Sequence, residues 1–202
     1  LPKGAGLKSI DVRPITVTSV IYRLWAACRV RQLIDWQEKW LSPAISSYRP
    51  PAGCEDVWLT QALQVEHALL FNQPIAGLSI DFAKAFDRVP VHILLKMASQ
   101  LGVEPGLVNA LEGLYSQLQR RWKTGPFVGE SFTSTNGILQ GCPLSVVLLN
   151  MLVHVWVVII QRKVLAATPS AYADDLGATA ASAKVLRRVL RHTRIFAASQ
   201  VC

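Results

Sequence analysis

The chain has 202 residues, 51% of them hydrophobic, and it carries 21 Lys and Arg against 13 Asp and Glu. This composition excludes an intrinsically disordered chain and predicts one large or two small folded domains. The net charge of +8 favours a polyanionic partner, with nucleic acid first and an anionic membrane surface second. The four cysteines show no C-x-x-C spacing, so neither a zinc site nor a disulfide framework is predicted.

The first third of the chain predicts two helices. Residues 1–14 and 42–53 are interrupted by Gly and Pro and are expected to be loops. Helical spacing predicts one helix over about residues 18–40, and a second is expected over about 55–71. The apolar face expected for the first helix consists of Val20, Ile21, Leu24, Trp25 and Cys28.

The middle of the chain mixes strands with helices. IAGLSID, residues 75–81, is short and apolar, which is typical of a buried strand, and it ends in Asp81. Apolar residues at helical spacing then predict two helices, over about residues 91–101 and 107–118. Residues 123–138 are rich in Thr, Ser, Gly and Phe and are expected to form a hairpin or twisted strands.

Residues 143–160 form an apolar run that resembles a membrane span, within a helix expected over about 144–163. The run is interrupted by Asn150 and His154, and it is at the short end of the roughly 20 residues that a span requires. We therefore predict a buried core helix in which His154 is a hydrogen-bonded core residue. A membrane-associated protein built on this helix is the weaker alternative.

The last part of the chain predicts a hairpin followed by a two-faced helix. Short strands are expected near residues 169–173 and up to about 180, and a helix over 183–196. The polar face of this helix is basic and contains no acid, so it is either a solvated face or a surface that contacts phosphates. The apolar face consists of Val185, Leu186, Val189, Leu190 and Phe196, and the basic face of Lys184, Arg187, Arg188, Arg191 and Arg194.

Asp174 and Asp175 are adjacent, and they are the only acids after residue 140. Carboxylates crowded at a hairpin tip repel each other, and a divalent cation neutralises them best. Ligands that are all oxygens favour Mg²⁺ or Mn²⁺ over zinc, and Asp81 is the natural third ligand. A lone pair of aspartates is more often a turn or a helix cap, so the assignment depends on the other motifs.

Five motifs follow one another along the chain: LPKGAG…VRPITVTSV, SSYRPPAGCEDV, LSIDFAKAFDRV, NGILQGCPLS and AYADD. On these motifs the chain resembles, over almost its whole length, the reverse transcriptase domain of non-LTR (LINE-type) retrotransposons. The resemblance implies an α+β fold, a right-hand polymerase palm with partial fingers, in which helices flank a small antiparallel sheet. It implies fingers over residues 1–72, a palm with inserted fingers elements over 73–202, and no thumb.

The resemblance also implies the roles of individual residues. Asp81, Asp174 and Asp175 are expected to be catalytic and to bind two Mg²⁺ ions, for which Mn²⁺ is a possible substitute, with the carbonyl of Phe82 as a further ligand. Phe86 matches the gate that excludes a 2′-hydroxyl, although it is also explained as a core residue. The expected nucleotide-binding residues are Lys3, Arg13, Phe82, Phe86, Gln140 and Gly141. Tyr172 and Arg49 are expected near the primer and template, and Arg49 is alternatively a support of the fingers.

The activity implied is RNA-directed DNA synthesis, with an RNA template, a DNA primer and dNTPs as partners and no membrane. The alternative is a catalytically inactive or repurposed RNA-binding remnant. The chain ends in FAASQVC, where family members continue to a lysine suited to protonating pyrophosphate and then to the thumb. Processive synthesis by these residues alone is therefore not expected. An intracellular location is expected, the nucleus in a eukaryotic host.

Overall fold

The computed structural model describes residues 15–199. The predicted positions of Lys3 and Arg13 lie outside the described residues. The helices are α1 (Val20–Glu38), α2 (Cys54–Leu70), α3 (Ala85–Arg88), α4 (Val91–Gln100), α5 (Pro105–Ser116), α6 (Pro143–Lys163) and α7 (Ala183–Ser199), and the strands are β1 (Ala76–Asp81), β2 (Gln119–Thr124), β3 (Phe127–Thr133), β4 (Ala167–Tyr172) and β5 (Asp175–Ala180).

Several helices begin at residues that satisfy the free N–H groups of a first turn. The Ser19 hydroxyl accepts the Tyr22 N–H at 3.2 Å at the start of α1. At the start of α5 the carboxylate of Glu104 accepts two N–H groups, and Pro105 occupies the first turn, where its missing N–H costs nothing. These local signals explain why the helices that the sequence predicts are found within a few residues of their expected bounds.

Strands β1, β5 and β4 form an antiparallel sheet in that order. Because side chains alternate along a strand, the sheet has two distinct faces. We call the face that contains Ile80, Leu176 and Ala171 the inner face, and α6 and α7 pack against the sheet there. The opposite, outer face is contacted by α2, whose Gln61 amide donates to the Ser170 hydroxyl at 3.1 Å.

The two edges of this sheet differ. Beside β4, the Ser46 N–H donates to the Ala171 carbonyl at 3.1 Å and the Ala171 N–H donates to the Ala44 carbonyl at 2.8 Å. A short parallel bridge between Ile45 and Ala171 therefore covers that edge. Within residues 15–199, no strand pairs with the other edge of β1.

Helix α6 lies at the centre of the core. Trp156 is fully buried, and its indole N–H donates to the Thr193 hydroxyl on α7 at 2.9 Å. The helix is long and apolar enough to cross a membrane by length and composition, but 61% of its most apolar window is buried inside the protein. Asn150 and His154 have partners there: Asn150 bonds to Ser47 and Gln37, and His154 Nδ1 accepts the Ser42 N–H at 3.1 Å. The prediction of a buried core helix is confirmed.

Three local predictions were wrong. Strand β1 was expected to be buried, yet Gly77, Ser79 and Asp81 are exposed because α6 and α7 cover only the inner face. The apolar face expected for α1 is largely exposed, since the buried residues of that helix are Ala26, Val30 and Gln37. The third difference concerns the hairpin of β2 and β3, which begins at Gln119 and thus four residues earlier than expected.

Candidate active site

Asp81 and Asp175 are direct partners in the antiparallel ladder between β1 and β5. Directly paired residues have Cα atoms about 4.5–5.5 Å apart and side chains on the same face. Both side chains are exposed on the outer face of the sheet. Tyr172 pairs with Asp175 from the other side, so these three residues form one row across the sheet. Two acids separated by more than ninety positions in the sequence are thus neighbours in the fold.

Asp174 occupies the turn that joins β4 to β5. The turn has two central residues, and the first, Ala173, has a positive φ of 52°. A positive φ at the first central residue is a feature of tight hairpin turns, and it is uncommon for residues other than glycine. The turn brings Asp174, which is half-buried, next to the row formed by Asp81 and Asp175.

These three acids supply the oxygen donors that a hard divalent cation prefers. However, no group of three His, Cys, Asp or Glu side chains in residues 15–199 is already arranged to hold a metal ion. The backbone register brings the acids together, whereas their side chains do not converge on one point. A bound cation would compensate the repulsion between adjacent carboxylates and draw their oxygens together. The donor set therefore fits a hard divalent ion.

The segment Gly137–Cys142, which we call the site loop, is held against the chain that follows β1. The Ile138 N–H donates to the Phe86 carbonyl at 2.7 Å, and the Gly137 N–H donates to the Val89 carbonyl at 2.8 Å. Gly137 has a φ of +91°, and a Cβ at this position would lie 2.7 Å from the Asp87 carbonyl oxygen. Only glycine permits this close approach.

Two residues that the sequence analysis missed support the site loop. The Arg120 guanidinium donates to the Gly137 carbonyl at 2.9 Å, and the Tyr115 hydroxyl accepts the Leu139 N–H at 3.5 Å. Burial raises the pKa of the Tyr115 hydroxyl, and this effect exceeds the lowering of the pKa by its hydrogen bonds. Both residues lie far from the loop in sequence and within no recognised motif. No local signal could have identified them.

The predicted nucleotide-binding residues of the loop are also fixed by backbone contacts. The Gln140 carbonyl accepts the Thr16 N–H at 2.9 Å, and Gly141 has a φ of +103°. Gln140 is half-buried and Gly141 is exposed. At the end of the loop the Tyr22 hydroxyl lies 3.2 Å from Cys142 Sγ, and burial raises the pKa of that hydroxyl. The loop is therefore attached to α1 and to the chain before it.

The aromatic residues near the acids are half-buried and pack against the core. The Phe82 ring lies 6.4 Å from that of Phe196 on α7, and the Phe82 carbonyl accepts the Ala85 N–H at 3.2 Å. A carbonyl oxygen has a second lone pair, so this bond leaves Phe82 able to bind a cation. Phe86 packs against the core as well, and its roles as gate and as core residue are compatible.

Arg49 is engaged in contacts within the protein. Its guanidinium forms an ion pair with Glu38 at 2.8 Å and donates to the Ser42 carbonyl at 3.0 Å. These bonds join the end of α1 to the following loop. The role of Arg49 as a support of the fingers stays a prediction. A contact between Arg49 and the template stays a prediction.

Comparisons with known proteins agree with this geometry. Residues 1–200 match the family model described as reverse transcriptase (RNA-dependent DNA polymerase). The chain is 26% identical over 211 residues to the transposon TX1 149 kDa protein of Xenopus laevis, covering 98% of this chain and 16% of that protein. It is also 26% identical over 144 residues to the Pol polyprotein of the retrotransposable element R2DM of Drosophila melanogaster, covering 70% of this chain and 13% of that protein. The chain thus spans less than a fifth of the length of these relatives.

Solved structures show the same fold. Telomerase from Candida tropicalis, in a complex with a fragment of telomeric RNA, superimposes with a TM-score of 0.63 at 12% identity, covering 86% of this chain and 31% of that one. A truncated apo telomerase from the same organism gives a TM-score of 0.58 at 16% identity, over 85% of this chain and 37% of that one. The predicted fold class and family resemblance are confirmed. The chain belongs to the reverse transcriptase (RNA-dependent DNA polymerase) family, as the reverse transcriptase domain of a LINE-type retroelement.

Proposed function

We propose that this chain adds deoxynucleotides to the 3′-hydroxyl of a DNA primer on an RNA template, with two Mg²⁺ ions bound by Asp81, Asp174 and Asp175. Enzymes of this family use divalent metal ions and bind RNA templates, whereas the identity and number of the ions, the primer and the dNTPs belong to the proposal. The pairing of Asp81 with Asp175 is the observation that carries it. The same proposal includes a division of the chain into fingers (1–72) and palm (73–202). It also includes an intracellular location, which in a eukaryote is the nucleus.

Each part of the site has a role in this reaction. Divalent ions would activate the primer hydroxyl and stabilise the negative charge on the leaving pyrophosphate. The three carboxylates would hold these ions in place, and the carbonyl of Phe82 would add a fourth ligand. Phe86 excludes a 2′-hydroxyl from the sugar position, and the site loop with Gln140 and Gly141 contacts the incoming nucleotide. Positioning and charge stabilisation are the main sources of acceleration in phosphoryl transfer.

Tyr172, Lys3, Arg13 and Arg49 complete the proposed assignments. Tyr172 is half-buried in the same row as Asp175, which favours a position beside the primer end. Lys3 and Arg13 are proposed to bind the triphosphate, where charge-assisted hydrogen bonds are strongest. Arg49 is proposed to contact the template in addition to supporting the fingers.

An inactive RNA-binding remnant is the competing function. The basic face of α7, whose Lys and Arg side chains are exposed, favours it. This alternative predicts RNA binding that weakens steeply with salt, without any incorporation of nucleotides.

Primer extension on poly(rA)/oligo(dT) with Mg²⁺, by a longer form of the protein that continues through the thumb, separates the two functions. We expect the wild-type protein to incorporate dTTP, and Asp81→Asn and Asp174→Asn to abolish incorporation while template binding is retained. Asp35→Asn, at an exposed position of α1, removes the same charge away from the site and is the matched control. Incorporation by Asp81→Asn at the wild-type rate would refute the metal assignment, and an inactive wild-type protein would favour the remnant.

A further inference from the structure

The hairpin formed by β2 and β3 extends from the rest of the protein. Both faces of the hairpin are exposed: among residues 119–136 only Arg120 is half-buried, and all the others are exposed. An isolated two-stranded hairpin is marginally stable in water at best. A surface of this kind gains stability when a partner covers it.

The exposed surface of the hairpin is aromatic. Trp122 and Phe132 stack with ring centroids 5.7 Å apart and an interplanar angle of 18°, and their exposed fractions are 57% and 36%. The ladder shifts register here, so that Gly129 and Glu130 lie opposite Trp122 alone. Such a bulge re-aims the side chains around it, and here it accompanies the diagonal contact between the two rings.

The charge of the hairpin favours an anionic partner. Arg121 and Lys123 flank Trp122 in the sequence and are both exposed. Neither forms an ion pair, since the ion pair found in the described part of the chain joins Arg49 to Glu38. Glu130 is the one acid among residues 119–136. Because side chains alternate along β2, Arg121 and Lys123 extend from the face opposite to Trp122, on either side of the open edge of this two-stranded sheet. Proteins bind single-stranded nucleic acid with flat aromatic rings, on which the bases stack, and with cations that contact the phosphates.

The hairpin is also connected to the proposed active site. Arg120 pairs with Phe132 in the ladder, so their side chains share a face of the hairpin. The Arg120 guanidinium donates to the carbonyl of Gly137, the first residue of the site loop. The aromatic stack therefore lies on the same face of the hairpin as the residue that holds the site loop.

We propose that the β2–β3 hairpin binds unpaired nucleic acid, with a base stacked on the Trp122–Phe132 pair and the adjoining backbone crossing the open edge of β2, so that its phosphates contact Arg121 and Lys123 on the opposite face. A strand bound there is continuous with the site loop, which is the arrangement needed to guide an unpaired strand past the site of synthesis. That placement rests on the proposed polymerase function, whereas binding itself does not.

The test measures binding by fluorescence anisotropy in EDTA and without dNTPs, so that failure of the polymerase proposal does not affect it. The probes are a labelled single-stranded RNA 12-mer, the DNA 12-mer of the same sequence and the blunt RNA duplex. Trp122→Ala should weaken binding of single strands by about 5- to 100-fold, as expected for the loss of one stacked base. Trp122→Phe should restore most of the affinity, and duplex binding should be unchanged.

Trp58→Ala is the matched control, because Trp58 is a 70% exposed tryptophan on α2, away from the hairpin. It should leave binding at the wild-type level. Arg121→Gln with Lys123→Gln should reduce the salt slope of single-strand binding by about 1.4, at roughly 0.7 per phosphate contact. Preference for the RNA or the DNA 12-mer identifies which strand is bound. Equal effects of Trp122→Ala and Trp58→Ala, or an equal loss of duplex binding, would overturn the proposal.

Discussion

Phe86 and Ile138 are joined by a backbone hydrogen bond of 2.7 Å, although 52 positions separate them. This bond connects the short helix α3 after the first acid to the site loop. The proposed sugar gate and the proposed nucleotide-binding loop thus form one unit, with Gly137 at the point of closest approach. A change in either partner is expected to affect the other.

Gly137→Ala should disrupt this unit. The new Cβ would lie 2.7 Å from the Asp87 carbonyl oxygen at a φ of +91°, so the loop must move. We expect a loss of about 1–3 kcal/mol in the free energy of unfolding, measured by urea denaturation, and a marked loss of primer extension. Gly113→Ala is the control, because a Cβ at that position in α5 meets nothing within 4 Å, and alanine there should leave stability equal or higher. Equal effects of the two changes would contradict the role of Gly137.

Phe86→Ala should admit ribonucleotides. Removal of the ring opens space under the sugar, so the ratio of kcat/KM for dTTP to that for UTP should fall by at least tenfold in primer extension. Phe71→Ala, at a 63% exposed phenylalanine after α2, should leave this ratio unchanged. If the ratio also stays unchanged in Phe86→Ala, then Phe86 is a core residue only.

Asn150→Ala should destabilise the core through lost hydrogen bonds. The Asn150 side chain accepts the Ser47 hydroxyl at 2.6 Å and donates to the Ser47 and Gln37 oxygens at 2.8 and 3.1 Å. Its loss leaves buried polar groups unsatisfied, so we expect a decrease of about 2–4 kcal/mol in the free energy of unfolding. Asn109→Ala, at an exposed position of α5, should change it by less than about 0.5 kcal/mol. A small effect of Asn150→Ala would show that water replaces these bonds.

His154 should make stability depend on pH. Burial lowers the pKa of its imidazole below the ordinary value of 6.5, and Nδ1 accepts the Ser42 N–H, so the folded protein requires the neutral ring. The unfolded chain then binds more protons, and stability falls as the pH drops below about 6.5 until the lower folded pKa is passed. Melting temperatures measured from pH 7.5 to 5 should show this fall. His154→Gln should reduce it and His92→Gln, at an exposed position of α4, should not.

The positions of helices and strands and the candidate site residues could be predicted from the sequence better than which face of each helix or strand is buried. Helix and strand positions follow from apolar spacing and local caps, and the acids proposed to bind metal follow from motifs, so both could be predicted without a structure. Whether Val20 or Ala26 of α1 faces the core depends on where its neighbours pack: α1 packs against α6, and it is Ala26 that is buried. The sequence cannot reveal that choice.

Contacts between residues far apart in the sequence could not be predicted from the sequence either. Arg120 and Tyr115 hold the site loop from another part of the chain, and the stack of Trp122 on Phe132 requires a bulge that no sequence period predicts. The basic face of α7 was predicted correctly and is exposed. One of its members, Arg188, donates to the Lys163 carbonyl at the end of α6 and so has a structural role.

The two edges of the β1–β5–β4 sheet differ, and this difference determines where a further strand can pair with the sheet. Ala44 and Ser46 already occupy the backbone groups of Ala171, so another strand cannot add beside β4 at that position without displacing them. The groups along the far side of β1 have no such cover within residues 15–199. Sheet extension, by another part of a longer polypeptide or by a second molecule at high concentration, is therefore directed to the strand that carries Asp81.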